Sequence, residues 1–321
     1  MYYRVHRNLL QGSISTEIGY MKNTSALWLY NNQLTSTIPS ELGQLQTNLY
    51  DLQLDSNYLT GNIPTSIGNL KNLKRLLFQK NQLSGTIPSS SIGQLIHLQY
   101  FYIYQNNING TIGSELGYLT SLQSLALNEN KMTGILPSEI GLLKNLNELW
   151  LFDNELSGSI PMEMGFLSNL HKLSLEPNQL TNEIPTQLGY LIHLEELYLG
   201  DNQFHHTIPS EFGFLNNLHV LSIWKNALSG TLSSYLGNLS QLVSFYVDFN
   251  ELSGTVPTSF GNLHNMKHFE LQGNHIHGDI SFLCAIDSLT LFKADCNTVS
   301  QTKITTKQIP KVFCSCCSSC F

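Results

Sequence analysis

The stretch of sequence that decides the fold is Leu146-Asn147-Glu148-Leu149-Trp150-Leu151-Phe152-Asp153-Asn154. Side chains alternate between the two faces of an extended strand, so Leu149 and Leu151 are predicted to point inward, and Trp150 and Phe152 outward. One strand of this length cannot bury its leucines alone, and neighbouring copies must cover them. The stretch therefore predicts a repeating structure.

The pattern L-x-x-L-x-L-x-x-N recurs along the chain with a period of 24 or 25 residues. Its asparagine occupies twelve registers, at Asn8, Asn32, Asn57, Asn81, Asn106, Asn130, Asn154, Asn178, Asn202, Asn226, Asn250 and Asn274. An asparagine that ends a strand can donate and accept, and so can satisfy backbone groups that the sheet no longer pairs. We expect the residues from Asn32 to Asn274 to form a structural asparagine ladder.

The second half of each repeat follows the pattern x-L-x-G-x-I-P-x-x-L/I-G-x-L. The proline is present in eight coils, at Pro39, Pro64, Pro88, Pro137, Pro161, Pro185, Pro209 and Pro257. Ser15, Gly113, Ser233 and Ser281 stand in its place elsewhere, and Ser36, Asn182 and His206 replace the mid-coil glycine. The later glycine recurs in eleven coils, which predicts either a positive φ or a close approach of the backbone at that position.

The combined motif resembles the plant-specific class of leucine-rich repeats over residues 1 to about 283. That family includes the ectodomains of receptor-like kinases, receptor-like proteins and polygalacturonase inhibitors. The resemblance implies an α/β repeat solenoid, a right-handed superhelix of about 12 coils with a parallel concave β-sheet. It also implies a concave or lateral face that binds peptides, proteins or small hormones, although one such scaffold hosts many ligands.

The cysteines mark a separate C-terminal segment, residues 284–321, after the repeat array of residues 1–283. All six of them lie there, at Cys284, Cys296, Cys314, Cys316, Cys317 and Cys320. Repeat arrays need capped ends, so we expect a cysteine-rich cap closed by disulfides in an oxidising compartment. A zinc site and a lipidated tail remain alternatives. The segment loosely resembles the cysteine-rich ends of leucine-rich-repeat proteins from diatoms and related algae.

The remaining compartment signals favour an extracellular or cell-surface protein. Glycosylation sequons stand at Asn23, Asn109 and Asn238. Residues 1–8 begin inside a repeat and show no apolar signal segment, so we expect a partial first coil, a missing N-terminal cap and an N-terminally truncated chain. No apolar run approaches the roughly 18 residues of a membrane span, which leaves a membrane-anchored longer form open.

Composition and motifs exclude several classes of function. The formal net charge of −7, with scattered lysines and arginines, argues against a nucleic-acid partner. No phosphate-binding loop, nucleophile elbow or zinc-protease motif occurs, so we expect no enzyme, no cofactor and no catalytic residue. His264, His268, Glu270, His275 and His277 could approach a metal, but we expect solvated or locally bonded histidines and no metal site.

The candidate ligand-binding residues lie two or four places before the asparagines, or beside them, except Tyr100, which lies six places before Asn106. They are unusually aromatic: Trp28, Tyr30, Tyr100, Tyr102, Tyr104, Trp150, Phe152, Asp153, Tyr198, Trp224, Tyr246 and Asp248. Tyr102, Trp150, Tyr198 and Tyr246 recur every 48 residues in one column, with the small residues Ala126, Ser174 and Ser222 between them. Such a ridge supplies the anchors typical of binding hot spots or a stacking track for sugar rings. A tolerated surface aromatic copied by a two-repeat duplication is the alternative.

These observations predict a non-enzymatic recognition scaffold, receptor-like and with a role in signalling or defence, whose ligand is a protein, peptide, glycan or small molecule. Outward acids in the second half, including Glu129, Glu148, Glu176, Glu196 and Glu270, would attract a basic partner. A secreted inhibitor of a cell-wall-degrading enzyme is one alternative, and an adhesive or structural solenoid is another.

Overall fold

The computed structural model describes residues 1–45 and 48–295, together with the backbone of two short strands at 312–313 and 319–320. The chain forms two compact units, Met1–Leu170 and His171–Phe321. Both repeat the same coil, in which a strand of one parallel sheet is followed by a strand of a second sheet and then by a short helix. We call the first of these sheets sheet A and the other sheet B. Each unit is an α/β repeat solenoid, as the repeat pattern predicts.

Sheet A contains the L-x-L residues of each repeat. Its strands in the first unit are Tyr2–Arg4, Ala26–Trp28, Asp51–Gln53, Arg75–Leu77, Tyr100–Tyr102, Ser124–Ala126 and Glu148–Trp150. In the second unit they are Lys172–Ser174, Glu196–Tyr198, Val220–Ser222, Ser244–Tyr246, His268–Glu270, Leu291–Ala294 and Ser319–Cys320. Neighbouring strands pair in parallel and in register, so Ala126 lies opposite Tyr102 on one side and Trp150 on the other. Residues at one repeat position therefore form a column across the sheet.

Sheet B follows the ladder asparagine of each coil. Its strands in the first unit are Thr60–Gly61, Gln82–Thr86, Asn107–Gly110, Lys131–Ile135 and Glu155–Gly158, and in the second unit they are Gln179–Asn182, Gln203–His206, Ala227–Thr231, Glu251–Gly254 and His275–Ile276. At the same position of the first two coils, Gln11–Ser13 pairs with Gln33–Thr35 in a separate two-stranded sheet. Gly278–Asp279 pairs with Val312–Phe313 in another.

The helices that close the coils are one turn long. Ser89–Ile92 is α-helical. The 3-10 helices are Thr16–Tyr20, Ser40–Gln44, Thr65–Asn69, Ser114–Tyr118, Ser138–Leu142, Met162–Phe166, Thr186–Tyr190, Ser210–Phe214, Ser234–Asn238, Thr258–Asn262 and Ser281–Ala285. Within the described residues, every helix falls short of the length and apolar character that crossing a membrane requires.

The core of each unit lies between the two sheets and the helices, and the inward columns of sheet A supply much of it. Leu149 and Leu151 are both fully buried. In the last coils of the second unit, phenylalanine occupies the column of Leu149. The rings of Phe245, Phe269 and Phe292 stack there with centroids 5.4 and 5.5 Å apart. Full burial of such a side chain stabilises the fold by about 1.5–3 kcal/mol, and here the covering atoms come from adjacent coils.

The ladder asparagines hydrogen-bond one coil to the next. Asn154 Nδ2 donates to the carbonyl of Leu151 in its own coil and of Leu127 in the preceding coil, both at 3.1 Å, while its Oδ1 accepts from the Met132 N–H at 3.0 Å. Asn81 and Asn250 make the same three kinds of bond. A single amide thus satisfies backbone groups of two coils where the sheet A strand has ended.

The proline position directly precedes the 3-10 helix, and in two coils a serine side chain caps the helix from this position. The Pro39 carbonyl accepts from the Leu42 N–H at 3.2 Å, which closes the first turn. Where serine replaces proline, at Ser15 and Ser233, the hydroxyl accepts a hydrogen bond from the backbone N–H two residues later. These coils therefore gain a side-chain cap that proline cannot provide.

The two recurring glycines serve different purposes. A Cβ on the later glycine Gly43 would lie 2.3 Å from the Ser66 carbonyl oxygen, so close approach of the next coil requires glycine there. The mid-coil glycine has a positive φ instead, +72° at Gly85. Ser36, Asn182 and His206, which replace it, keep φ values of 66°, 69° and 70°. The coil geometry therefore holds even where the side chain is unfavourable for it.

The segment after residue 283 continues the second unit. Leu291–Ala294 pairs with His268–Glu270, and Ser319–Cys320 pairs with Leu291–Ala294, so both strands extend sheet A. Cys284 takes part in a disulfide bond. Cys296, Cys314, Cys316 and Cys317 lie outside the described residues, and the cysteine-rich cap closed by disulfides stays a prediction.

Candidate functional site

The outward aromatic side chains that the sequence proposes as ligand-binding residues are all half-buried. They stand on the face opposite the core leucines, and their neighbours in the same and adjacent strands cover part of each ring. The small residues between them are more deeply covered, with Ala126 and Ser222 exposed by 5% and 2%. The large rings therefore rise as walls on either side of small residues that form a floor.

In the first unit this arrangement forms a cavity of about 420 Å³. Ala126 and Ser124 form its floor, and the walls include Tyr102 on the preceding strand and Trp150 on the following one. Tyr104, Phe152, Asn128 and Glu129 complete the lining. Trp150 and Phe152 meet edge to face with ring centroids 6.3 Å apart, which fixes the orientation of this wall.

The polar groups of the first cavity already have partners. Glu129 accepts hydrogen bonds from Gln105 Nε2 at 2.6 Å and from Asn128 Nδ2 at 3.2 Å. Burial raises the pKa of Tyr102 and of Tyr104 above the ordinary value, so both phenols are neutral near pH 7. This cavity is therefore mainly an aromatic slot with hydroxyl and amide groups at its margin.

The second unit holds a cavity of about 360 Å³ built in the same way. Ser222 forms the floor between Tyr198 on the preceding strand and Tyr246 on the following strand. Trp224 adds a third ring, and the carboxylates of Glu176, Asp248 and Glu270 complete the lining. The second cavity is therefore both aromatic and acidic.

Glu176 reaches the second cavity across a glycine. Its Oε2 accepts hydrogen bonds from the Gly200 N–H at 2.6 Å and from Ser222 Oγ at 2.7 Å. A Cβ on Gly200 would lie 2.5 Å from that oxygen and 2.3 Å from the Trp224 ring, so the absence of a side chain lets both groups approach. Gly200 consequently positions the acid and the indole together.

Burial also perturbs the titrating groups of the second cavity. Burial raises the pKa of Asp248 to about 6, and the neighbouring Glu270 carboxylate adds to the shift. The hydrogen bond from the Asp248 backbone N–H and the positive charge of Lys293 oppose it. Burial raises the pKa of Glu176 too, against the hydrogen bonds from Ser222 and Gly200. Burial beside Glu196 and Glu176 raises the pKa of Tyr198 to about 12. Keeping these two carboxylates ionised in the second cavity therefore costs free energy.

Several residues proposed from the sequence lie outside the two cavities. Arg4 stacks on Trp28, whose Nε1 donates to Asp51 at 2.9 Å, and Tyr30 stacks on His6. The Tyr100 hydroxyl donates to Gln123 at 2.9 Å. Asp153 occupies an exposed turn position with a φ of 53°. The predicted residues that do line the cavities, and that we keep in the candidate site, are Tyr102, Tyr104, Trp150, Phe152, Tyr198, Trp224, Tyr246 and Asp248.

The structure adds seven residues to the proposed site: Ser124, Ala126, Asn128, Glu129, Glu176, Ser222 and Glu270. Each occupies the outward column positions of sheet A or the turn beside them, so the rule that selected the aromatic residues also reaches these positions. The candidate list from the sequence contained only aromatic residues and two aspartates, and therefore omitted these positions. The cavity is defined as much by the small and polar residues as by the rings.

The three sequon asparagines, Asn23, Asn109 and Asn238, are all exposed. The histidines near the end of the array make local contacts, with His268 Nδ1 lying 3.0 Å from Ser244 Oγ. Among the residues that the structure describes, no group of three histidine, cysteine, aspartate or glutamate side chains has the geometry to hold a metal ion.

Family comparisons agree with the coil architecture. The family described as a leucine-rich repeat region matches residues 76–200, and the leucine-rich repeat itself matches residues 23–45, 48–70, 193–215 and 241–263. Together with the stacked strands and the asparagine bonds, these matches define the class: the chain is a leucine-rich-repeat protein. No curated protein has a significant sequence match to it.

The solved structures that the chain resembles include plant receptor ectodomains. The chain is 31% identical to the Arabidopsis receptor kinase HAESA, solved in complex with the peptide hormone IDA and the co-receptor SERK1, with a TM-score of 0.79 over 89% of this chain and 52% of that one. It is 28% identical to a TDR receptor, with a TM-score of 0.80 over 92% and 56% of the two chains. The chain therefore has plant-type leucine-rich repeats and spans about half the length of these receptor chains.

A third similar structure has a different role. A plant ice-binding protein is 28% identical, with a TM-score of 0.61 over 69% of this chain and 71% of that one. The fold is thus shared by proteins with unlike ligands, and the choice between functions depends on the surface of this chain.

Proposed function

We propose that this chain is a non-enzymatic recognition module that binds a peptide, or an extended segment of a protein, on the outward face of sheet A. The observation that carries the proposal is the pair of ring-walled cavities, one in each unit. Concave aromatic pockets of a few hundred Å³ with few polar groups accept side chains and fix their orientation. The peptide hormone in the HAESA complex supports a ligand of this class.

We further propose an extracellular or cell-surface role as a receptor-like ectodomain, in signalling or defence. Exposed sequon asparagines at Asn23, Asn109 and Asn238 and the disulfide at Cys284 support that compartment. A polygalacturonase-inhibitor-like protein would use the same face on a folded enzyme instead of a peptide. A glycan that stacks on the rings is a further ligand class for the first cavity.

An adhesive solenoid is the less favoured alternative. Ice or mineral binding needs a flat face that repeats the same groups, whereas successive strands present Leu77, Tyr102, Ala126 and Trp150 in one outward column. Alternation of large and small residues produces pockets, and pockets suit individual side chains of a ligand.

The test is selection of ligands from a displayed library of random peptides on the intact chain. Synthetic copies of the enriched peptides should bind the wild type and lose at least roughly tenfold in affinity for a Tyr102→Ala/Trp150→Ala double variant. A Tyr118→Ala/Phe166→Ala variant is the matched control, because these rings are 56% and 54% exposed at the helical corner of the same unit. Peptides that bind both variants equally would exclude the first cavity, and failure to enrich any peptide would contradict a peptide ligand.

A further inference from the structure

The two cavities share the same architecture but differ in charge. Among the described residues, three carboxylates line the second cavity, Glu176, Asp248 and Glu270, and neither lysine nor arginine does. The first cavity has only Glu129, whose two carboxylate oxygens already accept hydrogen bonds. The second cavity therefore favours a ligand that carries positive charge.

Asp248 is the carboxylate of this cavity with the fewest donors. It is only 5% exposed, and among the described residues its own backbone N–H is the donor to its carboxylate. The nearby Lys293 Nζ is bonded to Glu270 at 2.9 Å. Burying a carboxylate with so few donors is costly, so a cationic ligand that brings further N–H groups would reduce an existing penalty.

The spacing of the acids favours an organic cation over a metal ion. Within the described residues, the three carboxylates do not converge on a point that could hold a metal, although all of them border the same cavity. A guanidinium group matches such distributed acceptors, because it presents five N–H donors around one plane. A lysine ammonium is a compact charge with three donors and matches them less well.

The aromatic rings that line this cavity can stack on the flat faces of a guanidinium group. Tyr198, Trp224 and Tyr246 border the cavity, and Trp224 is held against Gly200, where a Cβ would be 2.3 Å from the indole. Aromatic faces attract guanidinium groups, and the attraction grows when water is excluded. One lysine already lies near this ring, with Lys225 Nζ 5.8 Å from the Trp224 ring centroid while bonded to Asp201.

From these contacts we infer that the cavity around Trp224, Glu176 and Asp248 binds the guanidinium group of an arginine side chain. This subsite deepens the proposed function, since it predicts one residue of the peptide ligand. It can be tested apart from that function, because a small arginine derivative needs no contact outside the cavity.

The experiment is a titration of the intact, ¹⁵N-labelled chain with N-acetyl-L-arginine methylamide, at a pH near 7.5 so that Asp248 is ionised. The indole N–H signals of the three tryptophans report separately on Trp28, Trp150 and Trp224, once Trp224→Phe has assigned the last. We expect a saturable shift of the Trp224 signal and none at Trp150. The citrulline derivative, which is isosteric and neutral, and the lysine derivative should each bind roughly tenfold more weakly.

Variants of the acids in the two cavities test where the arginine derivative binds. Asp248→Asn and Glu176→Gln should each weaken binding of the arginine derivative by roughly tenfold, while Glu129→Gln in the first cavity should leave it unchanged. Thermal unfolding of every variant checks that the fold is intact. Binding of citrulline within twofold of arginine, an equal loss in Glu129→Gln, or no saturable shift would overturn the inference. Enriched peptides that depend on Tyr102 and Trp150 but lack arginine would leave the proposed function standing and contradict only this subsite.

Discussion

The hydroxyl of Ser222 donates a 2.7 Å hydrogen bond to the carboxylate of Glu176, although 46 residues separate them in the sequence. The two residues are about two repeats apart, and Gly200 belongs to the single coil between them. The carboxylate passes over Gly200 and takes a second hydrogen bond from its N–H at 2.6 Å. Because Gly200 has no side chain, the Glu176 carboxylate can link three successive coils by hydrogen bonds.

Gly200→Ala tests this relationship. The added methyl group would lie 2.3 Å from Trp224 and 2.5 Å from Glu176, so one of them must move. We expect the variant to lose about 1–3 kcal/mol of unfolding free energy and to shift the tryptophan fluorescence. Gly261→Ala is the control, because its nearest neighbour would be Phe282 at an ordinary 3.7 Å. Equal stability of the two variants in urea would mean that Gly200 does not position these groups.

Asp248 should make stability depend on pH. Its pKa is about 6 in the folded chain, against an ordinary value of 3.8, because burial disfavours the charged form and Glu270 adds to the shift. Between these values the folded chain binds the proton more tightly than the unfolded chain, so the free energy of unfolding falls as pH rises from about 4 to 6. Asp248→Asn should abolish this fall and stabilise the protein at pH 7 by on the order of 1–3 kcal/mol.

Denaturation midpoints measured across that pH range check the prediction. The exposed Asp153 provides the control substitution, Asp153→Asn, which should leave the pH profile unchanged. A profile for Asp248→Asn that matches the wild type would show that Asp248 is well solvated.

The asparagine ladder predicts a strong position dependence for asparagine-to-alanine changes. Asn154→Ala would leave the carbonyls of Leu127 and Leu151 and the N–H of Met132 without this partner. Each unpaired buried group costs about 1–3 kcal/mol. Asn8, which is exposed and whose side-chain amide donates to carbonyls of its own turn, should tolerate alanine with little loss. Chemical denaturation distinguishes the two, and an unchanged midpoint for Asn154→Ala would refute the ladder.

His206 occupies a backbone position that favours glycine. Its φ is 70°, a value at which a Cβ is strained, while the equivalent residue of the next coil is Gly230 with a φ of 80°. His206→Gly should therefore stabilise the protein by about 0.5–1 kcal/mol, after the greater chain entropy of glycine is subtracted. Gly230→Ala should have the opposite sign. A loss of stability in His206→Gly would indicate that its side-chain contacts outweigh the backbone strain.

The coil was predictable from the sequence because its determinants are local and repeated. The spacing of Leu149, Leu151 and Asn154 predicts an alternating strand that ends at a polar residue, and twelve registers of that asparagine predict the stack. The outward direction of Trp150 and Tyr198 followed from the same alternation. Even the ring-and-gap order of the walls was visible, since parallel in-register pairing places residues 24 apart side by side.

Tertiary structure alone decided which groups meet in the cavities. Whether the Glu176 carboxylate turns toward solvent or crosses Gly200 to Ser222 depends on side-chain rotamers and on distances between coils, which no spacing rule gives. The same holds for Asp248: its outward column position predicted the face on which it lies, but only the packing of adjacent coils leaves it 5% exposed. Column position determines the face on which a side chain lies, and the packing of neighbouring coils determines how much water and which partners it meets there.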